Sequence, residues 1–355
     1  MKSIVPIIVN CSAIKRLVLI PFEKNPDKIY NCFELQYIDG KPNGTGYRIV
    51  AYRLDNYVDV YDDISLKLNE DEKFNVAGNG LHKHVQTEIT QTKLEMENCC
   101  EHISFSFSDI DNRKINFSIK EFSKKKSKPM NLLAPIGYGT KDPNFLPLFF
   151  LYDFDFIRRN KTKVECFIDE QRIIIDKFPF PMGTQFRYYV RYSNQCDLLE
   201  FGNTDSTSLL EVELDNNSYK KDNVEYIYEE PNTLSNIVVH LEERTVDIKF
   251  LPSFNMNKNT EGTFTIKPKE TMGYIKGTYS IKREDDKIDI KLVPENGWKS
   301  VPNSFISKMI LGPKSVFCNW SKKYEFTEEI DINNKMVKPK WTNNNNINNN
   351  SNNNN

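Results

Sequence analysis

Hydrophobic residues recur at every second position through most of this chain. In ISLKL the residues Ile64, Leu66 and Leu68 alternate with polar ones, in ISFSF Ile103, Phe105 and Phe107 do, and in INFSI Ile115, Phe117 and Ile119 do. Successive side chains of an extended strand point to opposite faces, so this spacing makes strands with one apolar and one wet face. A helix would instead need apolar residues three and four apart. TVDIKFL, GTFTIK, GYIKGTYSI and KIDIKL repeat the pattern in the second half. Between such runs stand Asp39-Gly40, Asn43-Gly44, Asp285-Asp286 and, at the tip of VECFIDEQRIIID, Asp169-Glu170. Gly, Asn and Asp enter tight turns at little cost, which makes these hairpin connections. The expected fold is all-β, with antiparallel meanders forming two barrel-like or sandwich domains and little helix. The exception is NSFISKMILGP, where Ser304 can cap a short helix that Gly312 and Pro313 stop.

A chain of 355 residues suits two domains. The long polar stretch beginning SNQCDLLEF sets the expected boundary, giving an N-terminal domain of residues 1–195 and a C-terminal one of residues 196–340. Residues 341–355, mostly Asn, offer almost nothing to bury and are expected to be disordered. The 48 basic and 49 acidic residues leave a net charge of -1, which creates no global attraction to nucleic acid or to an anionic membrane. Any such partner needs a local patch, and the run Lys124–Lys128 reads as a short solvated one. No stretch approaches ~18 uninterrupted apolar residues, so no membrane span is expected. The seven cysteines are scattered, odd in number and without a Cys-x-x-Cys pair, the usage of reduced thiols in a cytoplasmic protein. Pro6 splits the apolar run near the start below the length of a secretory leader.

Three stretches carry candidate chemistry. In GNGLHKHVQTEI, His82, His84 and Glu88 have the spacing His-x-His-x-x-x-Glu, which resembles the metal motif of cupins, where two imidazoles and a carboxylate hold a divalent ion. The resemblance covers seven residues, and no later His-x-x-x-Asn completes the set. In FRYYVRY, alternation puts Phe186, Tyr188, Val190 and Tyr192 on one face and Arg187, Tyr189 and Arg191 on the other. This suits a half-buried strand with its arginines reaching out, and RNA binding is not expected. In LPLFFLYDFDFIRR, strict alternation would set Asp153 and Asp155 on one face about 7 Å apart, with Arg187 and Arg191 as compensating charges on a pairing strand.

No nucleophile elbow, Walker loop or dinucleotide-binding glycine pattern occurs, so no cofactor is expected. The function that follows is binding of a small apolar molecule in a cavity, by analogy with lipocalin architecture, with Asp153, Asp155, Arg187, Tyr189 and Arg191 at its mouth. Two rival readings stand beside it. One is an enzyme of hydratase or isomerase type using Asp153 and Asp155 as acid and base, and the other is a protein interaction module.

Overall fold

A computed structural model describes residues 1–24, 27–40, 43–68, 79–95, 102–123, 128–140, 142–178, 186–242, 244–269, 272–312 and 314–344. The fold is all-β, 64% strand and 5% helix, built of sandwich-like antiparallel sheets. Among the described residues no sheet closes into a barrel.

The chain divides into two compact units that interleave along the sequence. One comprises Met1–Ser12, Leu132–Phe150 and Leu198–Asn355, the other Ala13–Asn131 and Leu151–Asp197. The expected boundary at 195/196 lies two residues from the last crossing between them.

In the second unit, two sheets face each other. The first runs Arg187–Ser193, Ile14–Pro21, Tyr30–Gly40, Gly44–Arg53, Tyr57–Asp63 and Gly80–Thr87, with the end of Leu146–Arg158 paired on Arg187–Ser193. The other orders Gln171–Arg172, Thr162–Ile168, Lys114–Glu121, His102–Ser108 and Thr90–Glu95. The alternation read from the sequence supplies the core between them. Phe33, Leu35, Ile49, Ala51, Tyr61, Val190 and Tyr192 from one sheet meet Ile103, Phe105, Phe107, Ile115, Phe117 and Ile119 from the other. Ring pairs such as Tyr61–Phe107 at 4.8 Å and Phe105–Phe117 at 5.1 Å fill the interior with side chains.

In the first unit, nine strands follow one another in chain order from Ser218–Lys221 to Met336–Asn343. Short pairs, Val9–Cys11 with Leu199–Phe201 and Lys2–Ile4 with Glu211–Glu213, belong to the same unit. Phe201 packs near Phe264 and Trp341, with ring centroids 6.4 and 6.3 Å away. Of twelve non-glycine residues with positive φ among the described ones, nine are Asn or Asp, including Asp169 and Asp285 at their expected hairpin tips. Their short polar side chains tolerate the left-handed region, which is how an Asn-rich chain closes many tight turns. The helix Phe305–Ile310 forms with Ser304 as N-cap, completed by Ser307 in a reciprocal capping box.

Several expectations need correction. Ile64–Leu68 is no strand. Asp63 caps a turn by accepting from Ser65 and Leu66, and this leaves Ile64 exposed and only Leu66 buried. Gly80–Thr87 pairs with Tyr57–Asp63 in parallel, against the expected antiparallel meander. The expected tail begins too early, because Trp341, Thr342 and Asn343 complete the strand Met336–Asn343 and Trp341 is buried with its Nε1 donating to Gly202 O at 2.8 Å. The rest of the Asn tail from 345, residues 124–127 of the basic run, and Cys99 and Cys100 lie outside the described residues.

Candidate functional site

The first sheet of the Ala13–Asn131 and Leu151–Asp197 unit has a second face, turned away from the aromatic core, where charged and polar side chains stand beside a small apolar cluster of Val50, Val58 and Val60. Register places Phe156 opposite Arg191, Arg191 opposite Leu19, Leu19 opposite Glu34 and Glu34 opposite Val50, so these residues share that face. Glu34 is buried, yet its carboxylate accepts from Gln36 Nε2 at 2.7 Å and from the Tyr52 hydroxyl at 2.8 Å. Burial pushes its pKa up, against the pull of those two hydrogen bonds and of the Arg191 charge.

Arg191 lies over the Tyr189 ring, 4.3 Å from its centroid. Tyr189 in turn stacks nearly parallel to Phe156, 6.2 Å away, and Phe178 closes on both rings at 4.9 and 5.7 Å. The result is an aromatic shelf with a guanidinium at one end. Arg187 is at the other end, two residues from Tyr189 on the same strand face. Its Nη1 donates to Phe156 O at 2.6 Å and lies 3.8 Å from Asp155 Oδ2. Three buried polar atoms here, Asp155 Oδ2, Arg187 Nε and Arg191 Nε, have no hydrogen-bond partner in the described chain.

The expected face shared by Asp153 and Asp155 is interrupted. Asp153 takes φ of 50°, a left-handed kink in mid-strand, and is exposed with its backbone N–H donating to Asn131 Oδ1. Asp155 is buried, and its Oδ1 accepts from Phe156 N at 2.8 Å. Of the expected compensating pairs, Asp155 with Arg187 is present, while the carboxylate acting on Arg191 is Glu34. Sequence reading passed over Glu34, although NCFELQYI sets it in the polar phase of a clear alternation.

His82 and His84 part company. Their strand pairs Leu81 with Val58 and then Lys83 with Asp59, so His82 is the extra residue of a bulge. His82 Nδ1 meets Asp59 Oδ1 at 2.6 Å, and Asp59 also binds Arg53 at 2.9 Å and the Tyr30 hydroxyl at 3.2 Å. His84 Nε2 meets Asp62 Oδ2 at 2.8 Å, and Arg48 grips the same carboxylate through two nitrogens at 2.6 and 2.9 Å. By alternation Asp59 shares its face with Tyr61 of the core, and Asp62 shares the opposite face with Val58 and Val60. The imidazoles are thus held on opposite sides of the sheet. Glu88 is exposed beyond the strand end, and among the described residues no group of three His, Cys, Asp or Glu is placed to hold a metal ion. His82, its side chain 37% exposed and oriented by a fully buried aspartate, has the geometry of a general base. No hydroxyl or thiol is hydrogen-bonded to it among the described residues.

No protein-family model, no curated protein and no solved structure matches this chain.

Proposed function

We propose that the protein binds a small, mainly apolar molecule that carries a polar or anionic group. The observation behind this reading is the shelf of buried Phe156 and half-buried Phe178 and Tyr189 between Arg187 and Arg191, with polar atoms at both ends that the described residues leave without partners. Buried donors lacking an acceptor are costly, and a ligand whose apolar body lies on the rings and whose anionic end takes the spare N–H groups repays that cost. The filled aromatic core between the two sheets favours this shelf over an interior cavity as the binding place. Asp153, exposed and apart from Asp155, gives the acid/base reading less support. The five described cysteines are free thiols, which agrees with a reducing, cytoplasmic setting.

The probe that fits this chemistry is anilinonaphthalene sulfonate, an aromatic anion that fluoresces when shielded from water. Saturable one-to-one binding to the folded protein is expected, weakened about tenfold by Tyr189→Ala together with Arg191→Met, a loss of about 1.4 kcal/mol. Equal binding by the parent and the variant, both shown folded by circular dichroism, would refute the reading.

A further inference from the structure

Between the strands Lys287–Val293 and Tyr324–Asp331 of the first unit the period of two breaks down, and the chain makes the helices Phe305–Ile310 and Val316–Asn319 and a final turn Trp320–Lys323. This segment has its own inside. Trp298 is buried and donates from Nε1 to Met272 O at 3.0 Å, while Leu311 and Trp320 are buried, and Ser300 and Cys318 both donate to Leu311 O. Other apolar groups of the same segment stay outside, for Val301, Phe305, Met309 and Val316 are exposed. Phe305, at 82%, is the most exposed large hydrophobic residue among those described. Phe305 and Met309 stand four apart on the helix and so share one side of it.

The same segment is strongly basic. From Asn296 to Tyr324 there are five lysines, at 299, 308, 314, 322 and 323, and no aspartate or glutamate. The whole chain carries -1, so the rest of it carries -6 against +5 here. All five lysines are exposed, and among the described residues none is in an ion pair. Tyr274, exposed and paired in register with Lys299, extends the patch, as does exposed Lys276 on the same strand.

Exposed apolar side chains in a segment whose five lysines are exposed and, among the described residues, in no ion pair suit one kind of partner better than others. A polyanion such as nucleic acid would satisfy the lysines and leave Phe305 and Met309 in water, and an acidic protein surface would do the same. At the boundary of an anionic bilayer, the apolar groups enter the acyl region while the lysine stems lie along it and their ammonium groups reach the phosphates. We propose that residues 299–323 dock this protein peripherally on an anionic lipid surface, with Phe305 and Met309 inserted and the lysines holding the headgroups. The proposed attachment is peripheral, and among the described residues no helix is long and apolar enough to cross a membrane. It does not depend on the ligand shelf of the other unit.

The experiment is co-sedimentation of the full chain with phosphatidylcholine vesicles, with and without phosphatidylserine. Binding is expected only to vesicles containing phosphatidylserine and should weaken steeply with added salt. Phe305→Ser with Met309→Ser, both at exposed positions, should leave the unfolding midpoint unchanged and weaken vesicle binding about tenfold or more. Lys308→Glu with Lys314→Glu and Lys322→Glu should abolish it. In an independent arm, Phe305→Trp should be quenched by brominated acyl chains, which reports insertion directly. The proposal is overturned if phosphatidylserine vesicles are not bound, if the Ser variant binds them like the parent, or if Phe305→Trp is not quenched. It is also overturned if heparin or an acidic peptide is bound as tightly as the vesicles and with no dependence on Phe305 and Met309.

Discussion

Replacing Glu328 by Gln should make this protein more stable, and increasingly so as the pH rises. The strand Tyr324–Asp331 buries every second residue, Tyr324, Phe326, Glu328 and Ile330, so a carboxyl occupies an apolar position. In register it lies between Ile290 and Pro339, flanked by the row of Leu292, Phe326 and Trp341 and by the row of Ile288, Ile330 and Val337. Glu328 is 6% exposed, and its Oε2 has no hydrogen-bond partner in the described chain. Burial alone pushes its pKa from an ordinary 4.5 to about 8. The folded state therefore holds a proton that the unfolded state releases between those two values. Stability from this group is complete below pH 4.5 and is lost as the pH climbs through about 8. Each pH unit is worth roughly 1.4 kcal/mol, so the full loss is on the order of 5 kcal/mol, and near neutrality about 3 kcal/mol of it has already occurred. Gln mimics the protonated acid in shape and cannot ionise. Urea unfolding of both proteins from pH 5 to 9 should give curves that nearly coincide at the acid end and diverge by several kcal/mol at the alkaline end. Parallel curves, or a Gln variant less stable at pH 9, would refute the reasoning.

Two further perturbations test the packing. Asp62→Asn removes the carboxylate that Arg48 and His84 share, and breaking this buried ion pair from one side should cost about 3 to 5 kcal/mol at neutral pH. Burial raises the Asp62 pKa, but the bonds from His84 and Arg48 outweigh it and hold the group below the ordinary carboxylate range. The parent should therefore lose its advantage over the Asn variant as the pH falls through that lowered value, and a difference constant down to pH 2 would contradict the assignment. Gly202→Ala should cost about 1 to 3 kcal/mol, since the residue sits at φ of 69° and a new Cβ would lie 2.9 Å from Trp341 Nε1. Thermal unfolding measures it, and a shift as small as that of Gly312→Ala, whose nearest neighbour would be 3.3 Å away, would contradict it.

The architecture was legible because alternation is a local property. Each strand carries its own division into faces, so ISFSF and INFSI are strands in the structure with the expected residues inside, and the second-half runs are strands too. FRYYVRY holds in part, since Arg187–Ser193 is a strand that buries Val190 and Tyr192 while Phe186, expected on their face, precedes it and is exposed. Ser304 starts the helix it was expected to start. Glu328 went unread, although YEFTEEID sets an acid in the buried phase of its alternation. What the sequence could not decide is who stands beside whom. One extra residue at His82 sends it and His84 to opposite faces, and one left-handed residue at Asp153 separates it from Asp155. A shift of one residue exchanges the two faces of a strand, and nothing local records it. Arg191 answers to Glu34 because Ile14–Pro21 comes between their strands, and its pairing with Arg187–Ser193 joins residues more than a hundred apart in the chain. Register and strand order come from the summed packing of both sheets, and only the tertiary structure holds that sum.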